Sequence, residues 1–202
     1  MYARKANFFD SQTDAPWAAE AYGPEEMTKL ERVFAAAGPL DGKTVLEPGC
    51  GTGRLTEILA RRVGPSGRVL AMDISEGMVA AAQERLADQA HVDLRHGHLE
   101  TCPLPEGGVN LALCHQVFPH LQDQQGALAL LARSLKADGL LIICHFKPLS
   151  VINDVHRKAG TAVEQDMIPE HGEMERMCTE AGFKITELTD DARGYVLCAI
   201  KA

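Results

Sequence analysis

Apolar and polar positions along the chain change period repeatedly, from a helical repeat to a strand repeat and back. GPEEMTKLERVFAAAG (23–38) places Met27, Leu30, Phe34 and Ala37 on one face, with Pro24 at the start and Gly38 at the stop, which predicts a helix. KTVLEP (43–48) reads as a strand, and Leu55, Ile58, Leu59 and Val63 mark the helix after it. RVLAMD (68–73) is a second strand, followed by Ser75 as N-cap of a helix with Met78, Val79, Ala82 and Leu86 on its apolar face. HVDLRHG (91–97) is a third strand and VNLALCHQV (109–117) a fourth. Leu128, Leu131, Ala132 and Leu135 then face a helix expected to close at Gly139, ahead of a fifth strand, LLIICHF (140–146). Strands this continuously apolar are buried on both faces, as in a parallel sheet covered by helices.

The end of the chain breaks the alternation. Met174, Met177, Cys178 and Ala181 form a helix stripe that stops at Gly182, and the methionines of 167–177 read as core. FKITELTDDARGYVLCAIKA (183–202) then holds two strand-like runs joined by a polar turn too short for a parallel crossover, so these runs should pair antiparallel. The predicted fold is α/β: a doubly wound, seven-stranded, mostly parallel sheet with an antiparallel terminal hairpin, occupying 40–202. Residues 1–39 form an N-terminal arm and helix, with packing and a lid over a ligand both open for Trp17 and Tyr22. The stretch 147–170 is longer than a connection requires and is expected to shape a substrate pocket, offering Asn153, His156 and Asp166.

Charge and composition narrow the partners. Twenty Lys and Arg against 28 Asp and Glu give a net charge of −8, with no basic cluster beyond adjacent pairs, so a nucleic-acid partner is not expected. No run approaches the roughly 18 apolar residues of a membrane span. The opening MYARKANFFDSQTD carries no secretory apolar segment, and a cytoplasmic location is expected. Six cysteines are scattered without a C-x-x-C pair, which favours reduced, buried thiols.

The chemistry begins at VLEPGCGTGRL (45–55). A dinucleotide fingerprint needs a third glycine where this chain has Arg54 or Thr56, and a phosphate loop needs a Gly-Lys-Ser/Thr ending that is missing. An acid, Glu47, stands directly before G-x-G-x-G instead. It suits a cationic amino group and repels a pyrophosphate.

LEPGCGTG together with AMDIS (71–75) and the terminal hairpin resembles the class I S-adenosylmethionine-dependent methyltransferases. The resemblance covers nearly all of 40–202 and implies S-adenosylmethionine as cofactor. It implies that Glu47 and the backbone of Gly49, Cys50 and Gly51 hold the amino-acid end, and that Asp73 accepts the ribose hydroxyls. Ile74 and Met78 would pack on the adenine. Where relatives of the quinone-biosynthesis type carry G-D-A-E, this chain has Gly97-His98-Leu99-Glu100. His98 would then accept from the adenine amine, and the Leu99 backbone would serve the ring nitrogen. The F-D that often opens the fourth strand is here Val109-Asn110.

Ligands of open α/β sheets lie at the carboxyl ends of the strands, here CHQVFPH (114–120) and CHFK (144–147). A histidine can remove a proton at neutral pH, and His120 or His145 is the expected base, with His115 on the cofactor side. His91 and His96 are expected to be packing or solvent residues. No histidine pair has the helical spacing of a metal site, and none is expected. The reading is methyl transfer to an unidentified small molecule. Two alternatives stay open: a cofactor-binding regulator or assembly factor without turnover, and a nicotinamide-dependent reductase.

Overall fold

The computed structural model describes residues 2–159 and 162–202. Helices α1 (Tyr2–Asp10), α2 (Pro16–Ala19) and α3 (Pro24–Ala37) lead into β1 (Thr44–Pro48), α4 (Arg54–Val63), β2 (Arg68–Asp73), α5 (Glu76–Arg85) and β3 (Val92–His96). The chain continues through β4 (Val109–His115), a 3-10 turn at Phe118–His120, α6 (Gln124–Ser134) and β5 (Leu135–His145). It ends with α7 (Leu149–Ala159), α8 (His171–Glu180), β6 (Phe183–Asp191) and β7 (Gly194–Lys201). The seven strands form one sheet in the order β3-β2-β1-β4-β5-β7-β6. β7 inserts antiparallel between β5 and β6, and the other neighbours run parallel.

Alternate residues of a strand face opposite sides, so each central strand feeds two cores. Leu46, Leu141 and Ile143 join Leu128, Leu131, Met174 and Phe183 under α6 and α8. Val45, Ile142 and Cys144 join Leu30, Phe34, Leu55 and Leu59 under α3 and α4. Met174 and Met177 are core, as their spacing implies. The six cysteines are free thiols. Ser75 caps α5 by accepting from the Met78 N–H at 3.0 Å. Asn110 keeps a structural role, its Oδ1 accepting from the Thr44 N–H and from Lys136.

Two expectations change. The helix expected to close at Gly139 ends at Ser134, and the chain passes directly into β5. Leu135 pairs with Val109 and Leu140 with Leu111, so 136–139 bulge out between these points, with Asp138 at φ 58. The Asp-Gly chemistry that resembles a helix stop serves a bulge in a strand. The opening stretch is also more than an arm, because α1 is a helix laid against the carboxyl edge of the sheet: Asp10 Oδ1 accepts from the Ser75 hydroxyl (2.5 Å) and the Gly77 N–H (3.0 Å) at the start of α5.

Candidate active site

The strand order reverses between β1 and β4, and the cavity of interest opens there, at the carboxyl ends of β1, β2 and β4. Its floor is the loop from Gly49 to Gly53. Gly49 (φ 67) packs on Val117, and Gly51 (φ 55) has open space where a Cβ would be, on the cavity side. The amides of Cys50 and Gly51 bond within the protein. The Cys50 N–H donates to the Met72 carbonyl at 3.0 Å and the Gly51 N–H to Asp73 Oδ2 at 2.8 Å. Cys50 and Gly51 therefore offer a ligand shape rather than N–H donors.

Two acids stand beside this loop. Glu47 is buried, with Oε2 lacking any partner among the described residues. Burial, with the Asp73 charge adding to it, pushes its pKa up to about 8. A carboxyl so placed lacks a cation. Asp73 is also raised by burial, against N–H groups of Ser75 and Gly51 that favour its charge.

Farther along, Ile74, Met78, His98 and Leu99 line the cavity, and the Leu99 N–H makes no hydrogen bond among the described residues. His98 holds Glu100 through Nδ1 (2.9 Å) and stacks on Tyr2 of α1 at 4.2 Å. The Tyr2 hydroxyl donates to the other Glu100 oxygen at 2.5 Å. Burial would raise the Glu100 pKa, but these bonds outweigh it and hold the carboxyl low.

Several lining residues escaped the sequence reading of the site, Tyr2 among them. Arg54, considered there only as too large for a third glycine, stacks on Tyr22 at 3.9 Å, donates to the Trp17 carbonyl and keeps a buried, unpartnered Nε. Gln116 lies in the left-handed region (φ 56), a backbone cost of the kind found at functional sites. Phe9 comes from α1 and sets its ring edge-on to His120 at 5.3 Å. A Tyr2/Phe9 spacing of seven within the opening polar stretch was the available signal. Trp17 and Tyr22 line the cavity as well, as does His115, whose pKa burial and the Arg54 charge lower to about 3.

The two base candidates separate. His120 lines the cavity, its Nδ1 is 2.8 Å from Asp166 Oδ2, and its Nε2 has no partner among the described residues. His145 is buried outside the cavity lining with Nε2 unpartnered, and burial drives its pKa well below the ordinary value. The three substrate-side candidates do not line the cavity either. Asn153 exchanges two hydrogen bonds with the Ile168 backbone (3.0 and 2.9 Å), His156 contacts the Asp166 carbonyl, and Asp166 backs His120. The long stretch after β5 thus supports a lining residue from behind, because its polar groups are consumed in fixing one another. His91 and His96 contact the Ala60 and Ile74 carbonyls away from this cavity. Among the described residues no three His, Cys, Asp or Glu side chains gather as a metal site, and no helix is long and apolar enough to cross a membrane.

S-adenosylmethionine fits this donor set: a lone buried carboxyl for its ammonium, an open glycine cradle at Gly51, and a second carboxylate on the next strand for a diol. The family model for the methyltransferase domain matches residues 46–143. An uncharacterized 37.1 kDa protein in transposon TN4556 of Streptomyces fradiae is 36% identical over 102 residues, 50% of this chain and 30% of that protein. The ubiquinone/menaquinone biosynthesis C-methyltransferase UbiE of Vibrio campbellii is 29% identical over 185 residues, covering 79% of this chain and 71% of that one. The chain thus spans less than a third of the first of these relatives and over two thirds of the second. Geranyl diphosphate C-methyltransferase of Streptomyces coelicolor A3(2) shares the fold at a TM-score of 0.78 and 14% identity, over 100% of this chain and 98% of that one. With its glycine loop, its two acids and its reversed last strand in the order this domain requires, the chain belongs to the class I S-adenosylmethionine-dependent methyltransferases.

Proposed function

We propose that the chain methylates a small, largely apolar acceptor bearing a weakly acidic hydroxyl, with His120 as general base. One observation carries this reading: His120 shares the cavity of Glu47, Asp73 and the glycine loop, with Nδ1 held by Asp166 and Nε2 unpartnered. S-adenosylmethionine, when bound, supplies an electrophilic methyl group. Glu47 holds the cofactor's ammonium, Arg54 its carboxylate, Asp73 its ribose hydroxyls, and Leu99 and His98 its adenine. An Nδ1–H donated to Asp166 would leave the Nε2 lone pair to take the hydroxyl proton, so that the acceptor's oxygen, or a carbon it activates, would take the methyl group as the methyl's bond to the sulfonium sulfur breaks and the neutral thioether leaves. Phe9, Val117 and Leu121 give the acceptor side an apolar wall. The likeness to a C-methyltransferase favours carbon.

The test is transfer of labelled methyl to a panel of hydroxyl-bearing acceptors by wild type and His120→Asn. The variant should lose roughly 10² or more in turnover and keep its cofactor affinity. Wild-type turnover in the variant would remove His120 from the reaction.

A further inference from the structure

Lys5 is buried at 3% exposure, on the face of α1 that also carries Tyr2 and Phe9. Its Nζ lies 2.7 Å from Asp166 Oδ1 and donates to the His120 carbonyl at 2.9 Å. An ammonium is tolerated so deep only with such partners. Asp166 is shared between two groups, Oδ1 on Lys5 and Oδ2 on His120 Nδ1. Asn153 and His156 fix the segment around Asp166 from the α7 side. From the other side, Lys5 arrives on the helix that covers the cavity.

We infer that Lys5 is a positioning residue that couples docking of α1 over the cavity to the orientation of His120 by Asp166. The base is then complete only when the helix is down. This inference rests on the reading of His120 as the base. Three anchors along α1 agree with it: Tyr2 on Glu100, Lys5 on Asp166 and Asp10 on the start of α5. Phe9, from the same helix, closes on the His120 ring.

Of the titratable groups around His120, Lys5 and Asp166 set the sign. Lys5 faces it from α1, Asp166 from the segment after α7, His156 from α7, His145 from β5 and Asp73 from β2. With Lys5 in place, Asp166 is divided between the ammonium and the ring. Without Lys5 the full carboxylate acts on His120, and the ring protonates at higher pH. Without Asp166 the lysine cation is left facing the ring, and protonation requires lower pH.

The test is an NMR pH titration of the histidine rings in the full chain, with hydrogen exchange of the α1 amides read on the same samples. In wild type, neutral His120 should carry its proton on Nδ1. Lys5→Met should raise the His120 midpoint by about one pH unit or more, and Lys5→Arg should keep it near wild type. Asp166→Asn should lower the midpoint and quicken exchange in α1, because the coupling acts in both directions. An unmoved midpoint in Lys5→Met, or unchanged α1 exchange in Asp166→Asn, overturns the inference. Should Lys5→Met not fold, the Asp166→Asn exchange decides alone. Full turnover in His120→Asn beside the expected midpoint shifts would instead overturn the assignment of the base and leave the coupling standing.

Discussion

Gly49 and Val117 stand so close that a Cβ on the glycine would come within 2.2 Å of Val117 Cγ2. The glycine loop is thus pinned to the segment after β4, which carries Gln116 and His120. Gly51, two residues on, has no heavy atom within 4 Å of the same position. Both have positive φ, so alanine costs about 1 kcal/mol of backbone strain at either site. Gly49→Ala should cost about 2 kcal/mol more through overpacking. In thermal melts Gly49→Ala should fall clearly below Gly51→Ala, whereas Gly51→Ala should lose more cofactor affinity than its small loss of stability suggests. Equal melting temperatures would contradict this packing.

Glu47 trades stability for binding. Its folded pKa, about 8, lies above the ordinary value of roughly 4.3 for a glutamate, so the folded state holds the proton more tightly. The resulting penalty is absent below pH 4, grows between the two values and is complete above 8. Cofactor-free Glu47→Gln should therefore be more stable than wild type at pH 8, on the order of 2 kcal/mol, with the difference shrinking toward pH 4. Calorimetry of S-adenosylmethionine binding at pH 7 should show proton release from wild type as the ammonium ionises Glu47, and less release from Glu47→Gln. A variant no more stable than wild type at pH 8 would mean that Glu47 already has a partner in the free protein.

Asp73 accepts from Gly51 and Ser75 with different oxygens, 2.8 and 2.9 Å away. An asparagine can accept only one of these bonds and turns an NH2 group toward the other donor. Asp73→Asn should lose about 1.5 to 3 kcal/mol of cofactor binding, roughly ten- to 150-fold, with little change in any affinity for the acceptor. Titration calorimetry gives the number, and an unchanged affinity would remove Asp73 from the cofactor site.

His145 differs from His120 in that it does not line the cavity. His145→Asn should keep turnover within about threefold of wild type, far from the hundredfold scale of a lost base. A hundredfold loss with intact folding would bring His145 into the reaction.

The sequence by itself determined the seven strands with their reversed end and the helices α3, α4, α5, α6 and α8; it did not mark α1, α2 or α7, and it pointed to the cofactor-holding residues only through the resemblance. Its signals are local: the 2.0 and 3.6 periods, the proline and glycine at the ends of α3, a turn too short for a crossover, and an acid fixed by register before a glycine loop. Where a local signal had two structural solutions, as at Asp138-Gly139, the sheet decided, because pairing of Leu140 with Leu111 turned a helix stop into a strand bulge. Only the tertiary structure separated His120 from His145, since His145 ends β5, His120 follows the end of β4, and they differ in which one reaches the cavity. It also gave Asn153, His156 and Asp166 a place behind His120 and brought Lys5 across 161 residues of chain to Asp166. A charge at position 5 carries no sequence mark of burial, because what makes its burial tolerable is a carboxylate and a carbonyl that only the folded chain places beside it.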